Sequence, residues 1–181
     1  MLEGKRVILR PIKKEDIELH LKWFNDQEVT QNLLFIFPLT REKEEKWITE
    51  TNLSENSVVF AIEVRGENRK PNFPIGNCGI HSINWVDRDA KIGIAIGEKN
   101  YQGMGYGTEA ISLLINYAFE NLNLNRISSS VISFNEKSLK LHKKLGFRRE
   151  GIKKKARFKK GRYHDEILFG LLKSKWEKKN K

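Results

Sequence analysis

The sequence predicts a mixed α+β fold whose elements follow the order β-α-α-β-β-β-α-β-α-β-β. Two observations predict it: three strand patterns follow one another in the middle of the chain, and the later helix patterns each lie between strands. At 181 residues, 39% of them hydrophobic, the chain is long enough for one domain with a full core. We therefore expect residues 1–181 to form a single domain.

The first half of the chain is predicted to hold one short strand, two helices and three strands. Apolar residues at 7–9 predict the short strand. Asp16 and Thr40 are residue types that cap helix N-termini, and helical patterns follow both. The next three strands are predicted at residues 58–64, 75–83 and 90–96, with turns at 71–74 and 87–89.

The second half begins with a glycine-rich loop at residues 101–108 that leads into a helix ending near residue 122. A later helix is predicted from Asn135, a good N-cap residue, to residue 144, because Gly146 suits the position just past a helix end. The remaining strands are predicted at residues 126–133, 147–152 and 163–172, with a turn at 159–161.

The loop reads Tyr-Gln-Gly-Met-Gly-Tyr-Gly-Thr and is typical of an anion-binding segment. Glycine allows several backbone N–H groups to point at one place, and a helix start adds free donors and a partial positive charge. A pyrophosphate is therefore the expected ligand, although glycine-rich loops also serve as plain turns. The Gly-x-Gly-x-Gly spacing differs from the dinucleotide fingerprint, and the loop lacks the lysine of a P-loop.

The net charge of +11 is concentrated in the last quarter of the chain. Residues 137–181 hold 18 Lys and Arg against four Asp and Glu, so residues 1–136 are slightly acidic. Such a basic region attracts polyanions, including nucleotides and RNA, or serves as a solvated surface.

Other features exclude several classes of protein. Cys78 is the only cysteine and lies in an apolar run, which predicts a buried thiol and no disulfide. The sequence has neither the apolar core of a leader peptide nor a membrane-spanning run, so we expect a soluble, cytoplasmic protein with no membrane contact. The histidines lack metal-ligand spacing, and we expect no metal.

Several motifs occur in a fixed order along the chain: Leu9-Arg10-Pro11, the loop at 102–107, Asn135-Glu136-Lys137-Ser138, Lys144-Leu145-Gly146-Phe147 and Gly161-Arg162-Tyr163-His164-Asp165. Together with the element order they resemble the GNAT superfamily of N-acetyltransferases, and within it the RimJ/RimL-type branch. The resemblance implies a three-layer α+β fold, with a mostly antiparallel twisted sheet, splayed central strands and flanking helices.

The resemblance also implies acetyl-CoA as the acetyl donor and CoA as a product. The amine acceptor would attack the thioester directly in a ternary complex, without an acetylated enzyme residue. By this resemblance the pantetheine arm lies along Ile94, Ala95 and Ile96, and Asn135 and Ser138 contact the arm or the sulfur. The pyrophosphate would be held by Gln102, Gly103, Met104, Gly105, Tyr106, Gly107 and Thr108.

The spacing of three and four places Asn135, Ser138 and His142 on one helix face, with Leu141 and Leu145 facing the core. His142 stands where many relatives have a tyrosine that protonates the departing thiolate. The resemblance therefore implies His142 and Ser138 as catalytic residues. A surface histidine is the alternative for His142.

The general base is not identified by the sequence. Glu98 follows the predicted cofactor strand and is a candidate base, although a charged residue at a strand end is usually solvated.

The acceptor is also left open. RimJ/RimL-type relatives acetylate protein N-termini, polyamines, amino sugars or aminoglycosides. The basic segment at 153–162 is expected to repel a polyamine and favours an acidic acceptor or a protein N-terminus, with contact to the ribosome or RNA.

Two further alternatives concern partners. An RNA-binding protein on the same scaffold would use Phe158, Tyr163 and Trp176 within the basic quarter. Trp23, Trp47 and the aromatic residues at 35–37 would line the core, an acceptor pocket or a homodimer contact.

Overall fold

A computed structural model describes residues 1–34, 38–66 and 72–180. In these residues eight strands form one sheet in the order β1-β2-β3-β4-β5-β6-β8-β7, and every neighbouring pair except β5–β6 is antiparallel. The strands are β1 (Leu2–Glu3), β2 (Val7–Pro11), β3 (Val58–Val64), β4 (Phe73–Asn84), β5 (Asp89–Ile96), β6 (Arg126–Ile132), β7 (Arg148–Lys159) and β8 (Arg162–Leu172).

The helices connect these strands and cover both faces of the sheet. They are α1 (Ile17–Phe24), α2 (Gln27–Thr30), α3 (Arg41–Leu53), α4 (Tyr106–Asn116), α5 (Glu136–Leu145) and α6 (Lys173–Asn180). Short 3-10 turns lie at Lys14–Asp16 and Lys99–Tyr101, and a π-helical turn at Tyr117–Asn121 extends α4.

Two apolar cores define three layers. The larger one packs α4 and α5 against the sheet, with fully buried side chains such as Ile80, Leu114 and Ile127. The smaller one packs α1 and α3 against the opposite face, where Ile48 contacts the same cluster as Val59. This helix–sheet–helix arrangement confirms the predicted fold class.

The central parallel pair is short. β5 and β6 pair at Asp89–Arg126, Ala90–Ile127 and Lys91–Ser128, and the pairing ends there. Beyond that row the two strands separate, which confirms the expected splayed central strands. We call the gap that opens between them the cleft.

The structure adds three elements that the sequence patterns did not predict. β1 and α2 have two and four residues, which is too short for a periodic signal. In α6 the only apolar side chain is Trp176, which is buried and donates its indole N–H to Asn116 Oδ1 at 2.7 Å. A single apolar residue does not produce a detectable pattern.

Three boundaries and one cap differ from expectation. α4 begins at Tyr106, inside the predicted loop, β4 begins at Phe73, inside the turn predicted at 71–74, and β7 continues to Lys159 beyond a bulge. The prediction that Asp16 caps α1 with its side chain is wrong, because this carboxylate instead accepts two hydrogen bonds from Arg10. The cap predicted at Thr40 is confirmed by its bond from the Lys43 N–H.

The expectations for the aromatic segment, one turn, the cysteine and a membrane span remain to be compared with the structure. Residues 35–37 and the start of the turn at 71–74 lie outside the described residues. Cys78 is buried, as predicted, and burial raises the pKa of its thiol. No helix among the described residues is long and apolar enough to cross a bilayer.

Candidate functional site

The glycine loop has the backbone that an anion cradle requires. Gly103 and Gly105 have φ values of 79° and 89°, in the left-handed region that favours glycine. Gly105 directly precedes α4, and within the described residues no side chain caps this helix. A Cβ added to Gly103 would meet no atom within 4 Å. The loop therefore leaves N–H groups of the helix start open beside free space, which fits a pyrophosphate.

Arg6 supports this loop from the other end of the chain. Its backbone N–H donates to Glu109 Oε1 at 2.8 Å, its Nε donates to Oε2 at 3.1 Å, and its Nη1 donates to the Met104 carbonyl at 3.2 Å. The guanidinium also lies 4.5 Å from the ring centroid of Tyr106. Sequence reasoning missed Arg6 because its partners are about 100 residues away and no local pattern links them.

We expect Gly105→Ala to weaken acetyl-CoA binding about tenfold, which is about 1.4 kcal/mol. A left-handed alanine costs about 1–2 kcal/mol, and its Cβ would lie 3.1 Å from Arg6 Nη2. Isothermal titration calorimetry measures the change. Gly161→Ala is the matched control, because Gly161 also has positive φ (75°) but lies in the β7–β8 turn with no atom within 4 Å of an added Cβ. Equal affinity losses in both variants would contradict the expected role of the loop.

Three of the predicted segments meet beside the loop. A Cβ on Gly107 would lie 3.3 Å from Ile94 Cδ1, 3.6 Å from Ile96 Cγ1 and 3.7 Å from Leu141 Cδ1. Gln102 Nε2 also donates to the Ile96 carbonyl at 2.9 Å. The loop, the end of β5 and α5 therefore form one continuous site.

The backbone of Ile94 faces the cleft. The carbonyls of Ala90 and Ile92 accept hydroxyl hydrogen bonds from Ser128 and Ser129 on β6. The N–H and C=O of a strand residue point to the same side, and the side alternates along the strand. Ile94, two residues after Ile92, therefore directs its N–H and C=O into the space between the separated strands. An extended amide chain can pair there as an added strand does.

Asn135 and Ser138 lie at the start of α5. Asn135 Oδ1 accepts the Ser138 N–H at 3.1 Å, which confirms the predicted N-cap. Its Nδ2 donates to the Asn32 carbonyl at 3.4 Å, so this cap also holds the segment that follows α2. Both side chains are half-buried.

Comparison with known proteins identifies this architecture. The family description "Acetyltransferase (GNAT) domain" matches residues 6–148. The chain belongs to the GNAT acetyltransferase family. It is accordingly an acetyl-CoA-dependent N-acetyltransferase.

Relatives of this GNAT chain come from several bacteria. It is 33% identical over 179 residues to "Uncharacterized N-acetyltransferase p20" of Bacillus licheniformis, covering 97% of each chain. It is 38% identical over 102 residues to "Putative ribosomal N-acetyltransferase YdaF" of Bacillus subtilis, covering 56% of this chain and 55% of that one. A spermidine N-acetyltransferase from Vibrio cholerae, solved with CoA and spermine, superimposes with a TM-score of 0.87. That structure is 24% identical, covers 96% of this chain and 99% of its own, and shows the shared fold.

His142 of the GNAT domain is buried, unlike its predicted position on a polar helix face. Its ring stacks on Phe169 at 4.9 Å and contacts Phe147 edge-on at 5.0 Å. The contact of His142 with Ser138 confirms that these two residues share one face of α5. His142 is nevertheless buried like Leu145, so the alternative of a surface histidine is wrong. Burial lowers the pKa of His142, and the hydrogen bond that its Nδ1–H donates to the Ser138 carbonyl at 2.8 Å opposes this shift.

Glu98 is already engaged by α1. Its Oε1 accepts the Lys22 ammonium at 2.7 Å and the Trp23 indole N–H at 2.8 Å, and these bonds lower the pKa of Glu98. A carboxylate with a lowered pKa is a weak proton acceptor. Trp23 itself is buried in the core, and Trp47 packs beside the smaller cluster.

The far wall of the cleft carries charged residues that the sequence analysis did not select. Glu166 on β8 is buried, accepts the Ser130 hydroxyl at 2.7 Å and pairs with Arg157 at 2.5 Å. Burial raises the pKa of Glu166, but Arg157 and Ser130 outweigh it and leave the pKa lowered. Beside this group the Phe134 and His164 rings are in contact at 4.6 Å. Nothing local in the sequence marks these residues, because β6, β7 and β8 bring them together.

Proposed function

We propose that this protein transfers the acetyl group of acetyl-CoA to the primary amine of a protein N-terminus, by direct attack in a ternary complex. One observation carries the proposal: the parallel strand pair opens after Lys91–Ser128, Ile94 directs its N–H and C=O into the opening, and the glycine loop follows the same strand. The loop can bind an anion, and the adjoining strand offers backbone groups with which an extended chain can pair. Both suit a ligand with a pyrophosphate and an amide-containing arm.

In this proposal each segment of the site has one role. Residues 102–108 hold the pyrophosphate, Ile94, Ala95 and Ile96 pair with the pantetheine arm, and Asn135 orients the start of α5. Acetyl-CoA supplies the activated acetyl group when bound. The Ile94 N–H can polarise its carbonyl, because a backbone donor at a fixed position stabilises developing negative charge.

We propose Ser138 as the group that hydrogen-bonds the departing sulfur and His142 as the residue that positions it. The Ser138 hydroxyl is 3.4 Å from His142 Nδ1, and the same ring nitrogen is bonded to the Ser138 carbonyl. Burial works against His142 as a direct proton donor, because a lowered pKa leaves the ring neutral at pH 7.

The proposed acceptor follows from charge. The β7–β8 hairpin exposes Lys153, Lys155, Lys160 and Arg162, which would repel a polycationic amine. The likeness to a protein named for ribosomal N-acetylation agrees with a protein N-terminus, with ribosome or RNA contact through this basic region. A small amine such as a polyamine, amino sugar or aminoglycoside is the second candidate, favoured by the fold shared with a spermidine N-acetyltransferase.

The remaining predictions belong to the same proposal. We propose one acetyltransferase domain over residues 1–181, of the RimJ/RimL-type branch, working in the cytoplasm without a metal. A homodimer stays a prediction. An RNA-binding protein on this scaffold is the alternative from another class. Of the three aromatic residues named for it, Phe158 and Tyr163 are exposed with ring centroids 5.1 Å apart, whereas Trp176 is buried and its expected RNA contact is wrong.

Ligand-dependent melting separates these functions. We expect acetyl-CoA at 100 times its Kd to stabilise the protein by about 2.7 kcal/mol, at concentrations where a 20-nucleotide RNA has no effect. Release of CoA is then followed with N-terminal peptides of ribosomal proteins, spermidine and an aminoglycoside as acceptors. If only spermidine is acetylated, the proposal that the acceptor is a protein N-terminus is wrong. If RNA binds in a salt-sensitive way and acetyl-CoA does not bind, the proposal that the protein is an enzyme is wrong.

A further inference from the structure

His81 on β4 lies beside the point where β5 and β6 separate. It is paired with Lys91 on β5, which is paired with Ser128 on β6 in the last row before the cleft. Its ring extends back over the pair Gly79–Gly93, two residues away along the same face. A Cβ on Gly79 would lie 2.9 Å from His81 Nε2, and a Cβ on Gly93 would lie 4.0 Å from it. The imidazole therefore lies over Gly79, and its Nε2 is the ring atom nearest Gly93, which lies on the β5 edge of the cleft.

His81 approaches the cleft from the face opposite the glycine loop. Residues directly paired in neighbouring strands share a face of the sheet. The pairs Val59–Gly79 and Gly79–Gly93 place Gly93 on the face of Val59, where α1 and α3 pack. The side chain of Ile94 points to the other face, against the start of α4. An amine arriving from the α1–α3 side would meet His81 before it meets the cofactor strand.

The ring is oriented by one hydroxyl. Ser57 Oγ donates to the Ile80 carbonyl at 3.2 Å and lies 3.0 Å from His81 Nδ1. A hydroxyl has one proton, so in the tautomer in which Ser57 gives that proton to Ile80 the Nδ1–H of His81 donates to Ser57 Oγ. This is the tautomer that the proposal below uses. In the neutral ring Nε2 then carries the lone pair. The atom directed toward the cleft is therefore a proton acceptor.

The surroundings keep this ring neutral. Burial lowers the pKa of His81. Among the charged groups on its face, the exposed Lys91 lies opposite it, and Glu166 lies on the far wall of the cleft with its partner Arg157. Arg10 shares the face on β2 and is held by Asp16 and Glu63. Glu98, Ser138 and His142 are held by other contacts. None of them combines a neutral state with a proton-accepting atom next to the cleft.

We propose that His81 is the general base of the acetyl transfer. This inference rests on the proposed function. As the acceptor nitrogen bonds to the acetyl carbon and the carbon–sulfur bond breaks, Nε2 takes the proton that the nitrogen loses. His81 then returns this proton to solvent, and the departing sulfur gains one proton to become a thiol. Ser57 positions the ring and does not touch the acceptor.

Kinetics test the proposal with the amine that the wild-type protein turns over best. We expect His81→Gln to lower kcat at least about 100-fold, with an unchanged KM for acetyl-CoA and loss of the acidic limb of the pH profile. Ser57→Ala should lower kcat less and shift that limb. Asn84→Ala is the control and should keep the wild-type kcat and pH profile, because Asn84 lies on the same strand as His81 but bonds to Asp87 in the β4–β5 turn, away from the cleft. A wild-type kcat and acidic limb in His81→Gln would overturn the proposal.

Nuclear magnetic resonance gives a readout that needs no acceptor. The Cε1–H signal of His81 should titrate below pH 6.5 and shift when acetyl-CoA binds, whereas that of His20, buried between α1 and α3, should not shift. No shift at His81 in protein that binds acetyl-CoA would overturn its place at the thioester. Failure of the wild-type protein to bind acetyl-CoA would instead overturn the proposed function. A kcat loss together with a lower Tm in His81→Gln would assign the residue a structural role.

Discussion

Ile94→Pro is expected to lower kcat/KM about 100- to 1,000-fold while the protein stays folded. Proline lacks a backbone N–H, and the N–H of Ile94 faces the cleft, where it makes no ladder bond with β4. The preceding residue is Gly93, which accommodates the restriction that proline places on its neighbour. The change therefore removes one donor from the proposed thioester site.

Two controls separate this donor from the rest of the strand. Ile94→Val keeps the N–H and should keep nearly full activity. Ala95→Pro removes an N–H that faces β4, so it should lower the Tm more than Ile94→Pro does. Steady-state rates of CoA release and thermal melts measure both effects. A folded Ile94→Pro protein with wild-type kcat/KM would show that this N–H has no role in the transfer.

Asp16→Ala should cost about 3–5 kcal/mol of unfolding free energy at pH 7, because it leaves a buried arginine with half of its partners. Arg10 donates to Asp16 through both terminal nitrogens, at 2.8 and 2.7 Å, and to Glu63 through Nε at 2.6 Å. The side chains of Arg10 and Asp16 are 10% and 5% exposed. Urea unfolding measures the loss. Glu28→Ala, which removes an exposed partner of Lys99, should cost less than about 1 kcal/mol.

The unfolding free energy lost in Asp16→Ala should become smaller as the pH falls. Burial raises the pKa of Asp16, but the hydrogen bonds from Arg10 and Lys13 outweigh it, and the pKa is lowered. A lowered folded-state pKa gives stability that is complete above the unfolded value of about 3.9 and is lost as the pH falls through the folded value. The difference between wild type and Asp16→Ala should therefore narrow below about pH 4. A constant difference from pH 7 to pH 2 would contradict the assigned ion pair.

Local patterns predicted the parts of the molecule that depend on neighbours in sequence. Alternating apolar residues located the strands β3 to β5. The glycine spacing located the left-handed positions Gly103 and Gly105, and Thr40 and Asn135 were recognised as caps because a cap bonds within its own helix. The same reasoning failed for Asp16, whose carboxylate pairs with Arg10 on β2. A residue type that favours capping does not exclude a stronger charged partner.

The faces of α5 show a second limit. His142 and Leu145 are three residues apart, a spacing that places them on neighbouring parts of the helix surface. The sequence pattern alone assigned Leu141 and Leu145 to the core and left His142 outside it. The rings of Phe147 and Phe169 extend that core to His142, and these aromatic residues come from the following segment and from β8.

The glycine loop, the element order and the ordered motifs sufficed to assign the acetyltransferase family from the amino-acid sequence. Tertiary structure decided which side chains reach the cleft. Strand register places His81 over Gly79 and Gly93, and chain folding brings Arg6 to the loop and Glu166 to Ser130. The physical reason is range: backbone preferences and helix periodicity act over a few residues, whereas an acceptor site is assembled by contacts between distant strands.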